Sequence, residues 1–223
     1  MICSIIFDFD GLIVDTETPA FQSWREIFQE HGVALEFATW AACIGGASGS
    51  FDGCAHLELQ LGHAIDRATV LARRRQRKDL LVAAEDIRPG VRETITRAMT
   101  LGLALVVASS SPRKWVVGNL ERLDLHSHFD CVKCAEDVAM VKPDPAVYRA
   151  ALASLGVAPH EAIALEDSPT GVHAAKGAGI YCVAIPNALT RQLPLDHADL
   201  RISSLAEVRL DELIAQAQTR TAR

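Results

Sequence analysis

The 223-residue chain lacks the features that mark several large classes of protein. No apolar run comes near the roughly 18 residues that a membrane-spanning helix needs. Acidic residues outnumber basic ones and give the chain a net charge of −6. A negative net charge disfavours general binding to nucleic acid. No internal repeat or low-complexity tract stands out. We therefore expect a globular protein that binds neither membranes nor nucleic acid.

The sequence also lacks a zinc motif and a secretion signal. Its six cysteines are scattered through mostly apolar stretches, which is typical of reduced thiols in a cytosol. The CVKC stretch at 131–134 has no second cysteine pair or histidine cluster to complete a zinc site. The initial MICSIIF run is short, has no basic flank and meets Asp8 directly, unlike a signal peptide. We expect a cytoplasmic protein.

Short apolar runs alternate with helical patterns along most of the chain. Five such runs predict strands, at 5–9, 103–108, 131–134, 162–165 and 181–185. Helical patterns occupy 115–123, 145–155, 169–178 and, at the end, 205–217. This alternation predicts an α/β fold with a parallel sheet and helices on both faces.

One long interval after the first strand breaks this alternation. Four helices are predicted there, at 18–31, 37–44, 51–61 and 68–84. A crossover between parallel strands needs only about a dozen residues. We therefore predict a helical cap domain, residues 16–86, inserted into an α/β core of residues 1–15 and 87–223. Because the insertion follows the carboxyl end of a strand, it is a candidate lid over the ligand crevice.

Polar residues are concentrated near the ends of the predicted strands. They form four clusters in chain order: Asp8 and Asp10, the serines at 109–111, Lys142, and Glu166 with Asp167. Ligands of open α/β sheets bind at the carboxyl ends of the strands, so we expect these clusters to converge. Converging carboxylates repel one another unless a cation lies between them, and oxygen ligands with retained waters suit Mg²⁺.

This set of side chains suits phosphoryl transfer. A lysine and a hydroxyl beside a divalent cation can share the charge of a phosphoryl group. One carboxylate can attack phosphorus to form an aspartyl-phosphate, while a second protonates the leaving oxygen and later deprotonates water. Asp8 and Asp10 suit that pair. Each cluster alone has a simpler interpretation, such as a turn at Asp10 or a helix start at Glu166, but their order favours one site.

The stretches DFDGLIVDTE, LALVVAS, KPDPAVY and LEDSPTGVHAAKGAG resemble the four motifs of the haloacid dehalogenase superfamily. The resemblance covers essentially the whole chain, and the helical insertion resembles the C1-type cap of the β-phosphoglucomutase-like branch. It implies a Rossmann-like core and a Mg²⁺-dependent phosphatase. Asp8 would be the nucleophile and Asp10 the general acid/base. The implied phosphate-binding residues are Ser109, Ser110 and Lys142, and the implied Mg²⁺ ligands are Asp8, Asp10 through its carbonyl, Glu166 and Asp167.

Residues of the cap distinguish the alternative activities within the family. Sugar phosphomutases of this branch have the pattern DTxxxH and an arginine after a glycine-rich turn, whereas this chain has Ala20 and Gly49 at about those positions. We therefore expect hydrolysis of a small phosphorylated metabolite, a sugar phosphate or nucleotide-like monoester, with a sugar phosphomutase as the alternative. Phosphonoacetaldehyde hydrolysis would need a Schiff-base lysine, and the flanking arginines of Lys78 argue against it.

Three further questions stay open at the level of sequence. A non-catalytic phosphate-binding regulatory module is the alternative from another class, although the intact Asp8 and Asp10 argue against it. The RRRQRK stretch, Arg73–Lys78, either meets an anionic part of the substrate or forms a solvated helix face. The glycine-rich stretch at 45–49 is either a mobile cap loop or a simple turn. Nothing in the sequence demands more than a monomer.

Overall fold

The computed structural model describes residues 1–44 and 51–221. Within these ranges six strands form one parallel sheet in the order β3-β2-β1-β4-β5-β6. The strands are β1 Ser4–Phe7, β2 Ala104–Ala108, β3 Cys131–Lys133, β4 Ala162–Glu166, β5 Tyr181–Ala184 and β6 Leu200–Arg201. The predicted α/β architecture is confirmed, and β1 lies in the interior of the sheet.

Nine α-helices surround this sheet or lie in the insertion, counted over the described residues. They are α1 Glu17–Glu30, α2 Phe37–Ile44, α3 Gly53–Leu61, α4 Arg67–Ala84, α5 Val91–Thr100, α6 Arg113–Arg122, α7 Ala146–Leu155, α8 Pro169–Gly177 and α9 Leu210–Thr221. None of the helices in these ranges has both the length and the apolar character needed to cross a membrane.

Both faces of the sheet are buried. Successive strand residues point to opposite faces, so Ile5 and Phe7 pack on one side and Ile6 on the other. The first side is covered by α5, α6 and α9, and the second by α7 and α8. Every residue of β1 is buried, which is typical of a parallel strand covered on both faces.

The insertion has an apolar cluster of its own. Its buried residues come from α1 to α4 and the segment between α1 and α2, and include Trp24, Phe28, Trp40 and Leu57. Asp15 accepts hydrogen bonds from the backbone nitrogen of Thr18 at 3.0 Å and its hydroxyl at 2.8 Å, so it caps the start of α1. This separate cluster supports the proposal that residues 16–86 form a cap domain.

The two connections between core and insertion are held together. Val14 and Ile87 form an antiparallel bridge, and the Arg88 guanidinium donates to the backbone carbonyl of Pro186 at 3.0 Å. Arg122 of α6 donates to three backbone carbonyls at the end of α4, at 3.0 to 3.4 Å. The end of the cap is therefore tied directly to a helix of the core.

The structure differs from the sequence predictions in three segments. Helix α5, Val91–Thr100, is not among the predicted helices. The short strand β6 was not predicted, because two residues carry no alternation pattern. The last helix begins at Leu210 rather than near 205. Leu205 is instead a buried residue outside any helix, and its backbone lies against Gly90, where a Cβ would be 2.2 Å from the Leu205 carbonyl carbon. The predicted cap loop at 45–49 lies outside the described residues.

Candidate active site

Three of the four predicted clusters meet because β2, β1 and β4 are neighbours. Phe7 at the end of β1 pairs with Val107 of β2 and Leu165 of β4. Asp8 follows directly, and its backbone nitrogen donates to the Leu165 carbonyl at 2.9 Å. The residues that follow these pairing positions are therefore presented at one edge, as the sequence predicts.

Lys142 reaches the site by a different route from the one expected. It does not follow directly on a strand, because β3 ends at Lys133 and Lys142 lies in the loop that leads to α7. Its backbone nitrogen donates to the hydroxyl of Ser110 at 3.2 Å. Ser110 is exposed, lines the cavity and supports the loop that carries the lysine.

The Lys142 ammonium bridges two buried carboxylates. Its Nζ donates to Asp8 Oδ1 and to Glu166 Oε1, the latter at 2.6 Å. Burial alone would lower the pKa of Lys142, but the charges of Asp8 and Glu166 outweigh it and raise the pKa above its ordinary value. The side chain is only 5% exposed. The two carboxylates, and not its burial, therefore favour the charged form of this lysine.

Asp8, Glu166 and Asp167 form a compact acidic group. One carboxylate oxygen from each lies within 4.8 Å of the others, and all three residues are buried. Burial raises the pKa of Asp8, and Glu166 raises it further while Lys142 opposes the shift. Burial, with the charges of Asp8 and Glu166, also raises the pKa of Asp167. These raised pKa values show that Lys142 alone does not balance three carboxylates.

The surroundings of this acidic group fit a Mg²⁺ ion. The candidate ligand atoms of the group are all carboxylate oxygens, which is the ligand type that this ion prefers. Asn187 fixes Asp167 by donating to its Oδ2 at 2.7 Å. Gly11 has a φ of +83°, and a Cβ at this position would lie 2.2 Å from the same oxygen. Only a glycine leaves room for the Asp167 carboxylate here.

The carboxylate of Asp10 lies apart from this acidic group. Its Oδ1 accepts from the Thr16 hydroxyl and the Trp115 indole, both at 2.9 Å. Its Oδ2 accepts from the Ser111 hydroxyl at 2.6 Å and the Ser109 hydroxyl at 3.3 Å. The two aspartates of the first motif thus have different neighbours, as separate roles would require. The backbone carbonyl of Asp10, and not this carboxylate, stays the predicted metal ligand.

A cavity of about 500 Å³ separates these residues from the cap. The core contributes its floor, including Asp8, Asp10, Lys142 and Asp167. The insertion contributes the opposite wall, which is formed by Glu17, Ala20, Trp24, Trp40, Phe51, Leu71, Arg74 and Lys78. The candidate reacting groups therefore lie between the two parts of the chain, where a lid is expected.

Each of the two interpretations of the basic stretch Arg73–Lys78, substrate contact and solvated helix face, fits part of it. Arg74 and Lys78, four residues apart on α4, line the cavity. Arg73 and Arg77 instead pair with Glu30 of α1, Arg73 at 2.8 Å. Arg75 is exposed to solvent. One face of the helix thus meets the cavity, while the rest of the charge is solvated or paired within the cap.

Glu17 is a second titratable group of the cavity wall. Burial and the charge of Asp10 raise its pKa to about 7, against the opposing effects of Lys78 and Arg74. The sequence does not single out this residue, because it looks like an ordinary first-turn acid of α1. Burial lowers the pKa of Lys78 and of Arg74, each with partial compensation from nearby acids.

Sequence reasoning also missed several partners of the predicted residues, including the Thr16 hydroxyl that donates to Asp10. The Tyr148 hydroxyl donates to Glu166 Oε1 at 2.5 Å, Asn187 holds Asp167, and Trp115 contacts Asp10. Asn187 could have been found, because it is the first side-chain donor after β5 at the same sheet edge. Tyr148 and Trp115 lie in helical patterns, where aromatic residues ordinarily indicate core packing.

Comparison with known proteins assigns the family. Residues 5–185 match the family model of haloacid dehalogenase-like hydrolases. The chain belongs to this family. It is 42% identical to the YhcW protein of Bacillus subtilis (strain 168), over 96% of this chain and 97% of that protein. It is 30% identical to hexitol phosphatase B of Escherichia coli (strain K12), with the same two coverages. The predicted superfamily is confirmed.

Solved structures agree with this assignment. The crystal structure of CbbY from Rhodobacter sphaeroides in complex with phosphate has a TM-score of 0.71 and 30% identity, covering 93% of this chain and 96% of that one. A mutant of CbbY has been solved with xylulose-(1,5)-bisphosphate, with the same similarity to this chain. The shared fold covers both the sheet and the helical insertion.

Proposed function

We propose that this protein is a Mg²⁺-dependent phosphatase that hydrolyses a small phosphorylated metabolite, a sugar phosphate or nucleotide-like monoester, through an aspartyl-phosphate on Asp8. The coarser class, a phosphoric monoester hydrolase, is confirmed by the family and by relatives named as phosphatases. The observation that carries the finer proposal is the pairing of Lys142 with Asp8 beside a separately held Asp10.

Asp8 is arranged to act as the nucleophile. Among the described residues only Lys142 donates to its side chain, at Oδ1, which leaves Oδ2 for attack on phosphorus. In the first step the Oδ2–phosphorus bond forms and the bond from phosphorus to the alcohol oxygen breaks, while Asp10 gives its proton to that oxygen. In the second step Asp10 takes a proton from water, water oxygen bonds to phosphorus, and the phosphate leaves Asp8.

The remaining residues would bind the phosphoryl group and the metal ion. Ser109 is buried with its hydroxyl beside Asp10, and Lys142 lies beside Asp8, so both can contact the transferring phosphoryl group. Asp8, Glu166, Asp167 and the Asp10 carbonyl would hold the Mg²⁺ ion. When bound, this ion neutralises negative charge on the phosphoryl oxygens.

The cap wall supports a compact polar substrate. Trp24 and Trp40 each form an edge-to-face contact with Phe51, with ring centroids 5.8 and 5.3 Å apart, and the three rings supply an apolar surface. Arg74, Lys78 and Glu17 add donors and an acceptor for hydroxyl groups. Ala20 lies on the same wall, where the phosphomutase pattern has histidine. This favours hydrolysis over phosphate relocation. The cytoplasmic location and monomeric state stay predictions.

The test is release of inorganic phosphate from p-nitrophenyl phosphate and a panel of sugar phosphates and nucleoside monophosphates, with and without Mg²⁺. We expect Mg²⁺-dependent release that is lost in Asp8→Asn. Asp196→Asn, which alters an exposed aspartate, is the matched control and should keep full activity. A wild-type protein that is inert on the whole panel, or an Asp8→Asn variant as active as wild type, would refute the proposal. Interconversion of sugar phosphates without phosphate release would instead support the phosphomutase.

A further inference from the structure

Trp115 lies between the candidate acid/base and the cap. The edge of its indole faces Asp10, with Nε1 donating to Oδ1 at 2.9 Å. The face of its ring meets Lys78 of α4, whose Nζ lies 4.2 Å from the ring centroid. This distance is that of a cation–π contact, which strengthens where the charge is desolvated. A single core residue thus contacts both the carboxyl group and the insertion.

Trp115 differs from the other three donors to Asp10. Thr16, Ser109 and Ser111 are hydroxyls, which rotate and can accept as well as donate. The indole N–H can only donate. Asp10 Oδ1 therefore stays an acceptor toward Trp115 throughout the reaction, and Oδ2 is the oxygen that carries the transferable proton. Oδ2 is also the oxygen beside Ser109, on the side of the predicted phosphoryl group.

The position of Trp115 is fixed by the start of its helix. Trp115 is in the first turn of α6, directly after the serine cluster at 109–111. Arg113 anchors this turn, because its backbone nitrogen donates to the Glu136 carboxylate at 3.0 Å and its guanidinium to the Val132 carbonyl at 3.0 Å. The indole is therefore presented to Asp10 by a rigid element.

We propose that Trp115 is a positioning residue, whose indole N–H fixes the Asp10 carboxyl so that Oδ2 delivers its proton to the leaving oxygen, with Lys78 holding the ring from the cap. This inference rests on the proposed function. In the step concerned the proton passes from Asp10 Oδ2 to the alcohol oxygen as its bond to phosphorus breaks, and Trp115 keeps its own proton. The residue touches no reacting atom and acts through Asp10 alone.

Leaving-group basicity separates this role from a merely structural one. Phenyl phosphate and p-nitrophenyl phosphate have similar shapes, but only the more basic phenolate needs a proton as it leaves. We expect Trp115→Phe, which keeps an aromatic face for Lys78, to lower kcat/KM for phenyl phosphate by about 10- to 100-fold. For p-nitrophenyl phosphate the loss should stay below about threefold, because kcat/KM reports the first transfer step, which then needs no acid.

A matched isostere keeps the test decisive. Incorporation of 3-benzothienylalanine at position 115 replaces the N–H by sulfur at nearly constant shape, and it should reproduce the selective loss even if Trp115→Phe folds poorly. An equal loss on both substrates, or no loss on either, would overturn the positioning role while leaving the phosphatase intact. A wild-type protein that releases phosphate from neither ester would refute the proposed function, and this inference with it.

Discussion

Gly171 and Glu166 are in such close contact that any side chain at position 171 would have to displace the Glu166 carboxylate. A Cβ on Gly171, in the first turn of α8, would lie 1.9 Å from Glu166 Oε2. Glu166 thus rests against the start of a helix, where the positive end of the helix dipole stabilises a carboxylate. Its other oxygen accepts from Tyr148 and Lys142. The helix start and the acidic group are therefore one packed unit.

This contact predicts opposite effects for two glycine substitutions. Gly171→Ala should destabilise the protein by about 1 to 3 kcal/mol, because the methyl group must displace the Glu166 carboxylate. It should also reduce phosphatase activity. Gly118→Ala is the matched control, since Gly118 lies inside α6 and a Cβ added there would meet no atom within 4 Å. The control should stabilise by about 0.4 to 1 kcal/mol in urea unfolding. Equal effects would contradict the packing.

Removal of the Lys142 charge should destabilise the protein, because the repulsion among the carboxylates of the acidic group is then no longer balanced. Lys142→Met leaves Asp8 and Glu166 buried without their cation, and breaking such a pair costs about 3 to 5 kcal/mol. We expect a loss of this size in urea unfolding, together with loss of phosphate release. Lys114→Met alters an exposed lysine of α6 and should change stability by no more than about 0.5 kcal/mol. A Lys142→Met protein as stable as the control would show that the pair is not coupled.

Arg74 and Arg75 provide a test of the cap wall. Arg74 lines the cavity and has one hydrogen bond among the described residues, to the Ser23 hydroxyl at 3.1 Å, whereas Arg75 is exposed. Arg74→Gln should raise KM about tenfold, as loss of a charged hydrogen bond predicts, with little change in kcat. Arg75→Gln should leave both constants unchanged. Steady-state kinetics on the best panel substrate decides between them, and an unchanged KM for Arg74→Gln would remove its binding role.

Glu17 should make stability depend on pH near neutrality. Its pKa rises from 4.5 to about 7 on folding, chiefly through burial. The folded chain therefore binds an extra proton between these two values, and this stabilisation is lost as pH rises through 7. Glu17→Gln should raise Tm at pH 8, corresponding to about 1 to 3 kcal/mol, and change it little at pH 5. The control, Glu207→Gln, alters an exposed carboxylate. A Tm gain at pH 5 equal to that at pH 8 would exclude this assignment.

The sequence predicts the part of the site that strand ends determine. Asp8, Ser109 and Asp167 could be placed together because the carboxyl ends of neighbouring parallel strands share one edge. Lys142 could be named as a candidate from its motif, but its path through a loop could not be predicted, since loops carry no periodic pattern. The resemblance to the superfamily rests on these motifs, whereas the resemblance to its branch rests on the helical insertion.

The contacts that could not be predicted arise from packing between distant segments. Trp115 and Asp10 are far apart in sequence, and their hydrogen bond requires α6 to lie against the end of β1. Arg74 lines the cavity and Arg75 does not, and this difference likewise depends on how α4 is rotated over the cavity. A run of adjacent charges does not reveal which of them faces a neighbouring domain.

The central claim is that Asp8 carries the phosphoryl group during turnover. The direct measurement is a single-turnover reaction with ³²P-labelled substrate and Mg²⁺, quenched rapidly in acid and mapped by mass spectrometry of the digested protein. We predict a transient label on the peptide containing Asp8 that hydroxylamine removes, and no label in Asp8→Asn. Phosphate release at the full rate with no labelled protein at any time, or a label on another residue, would contradict the mechanism.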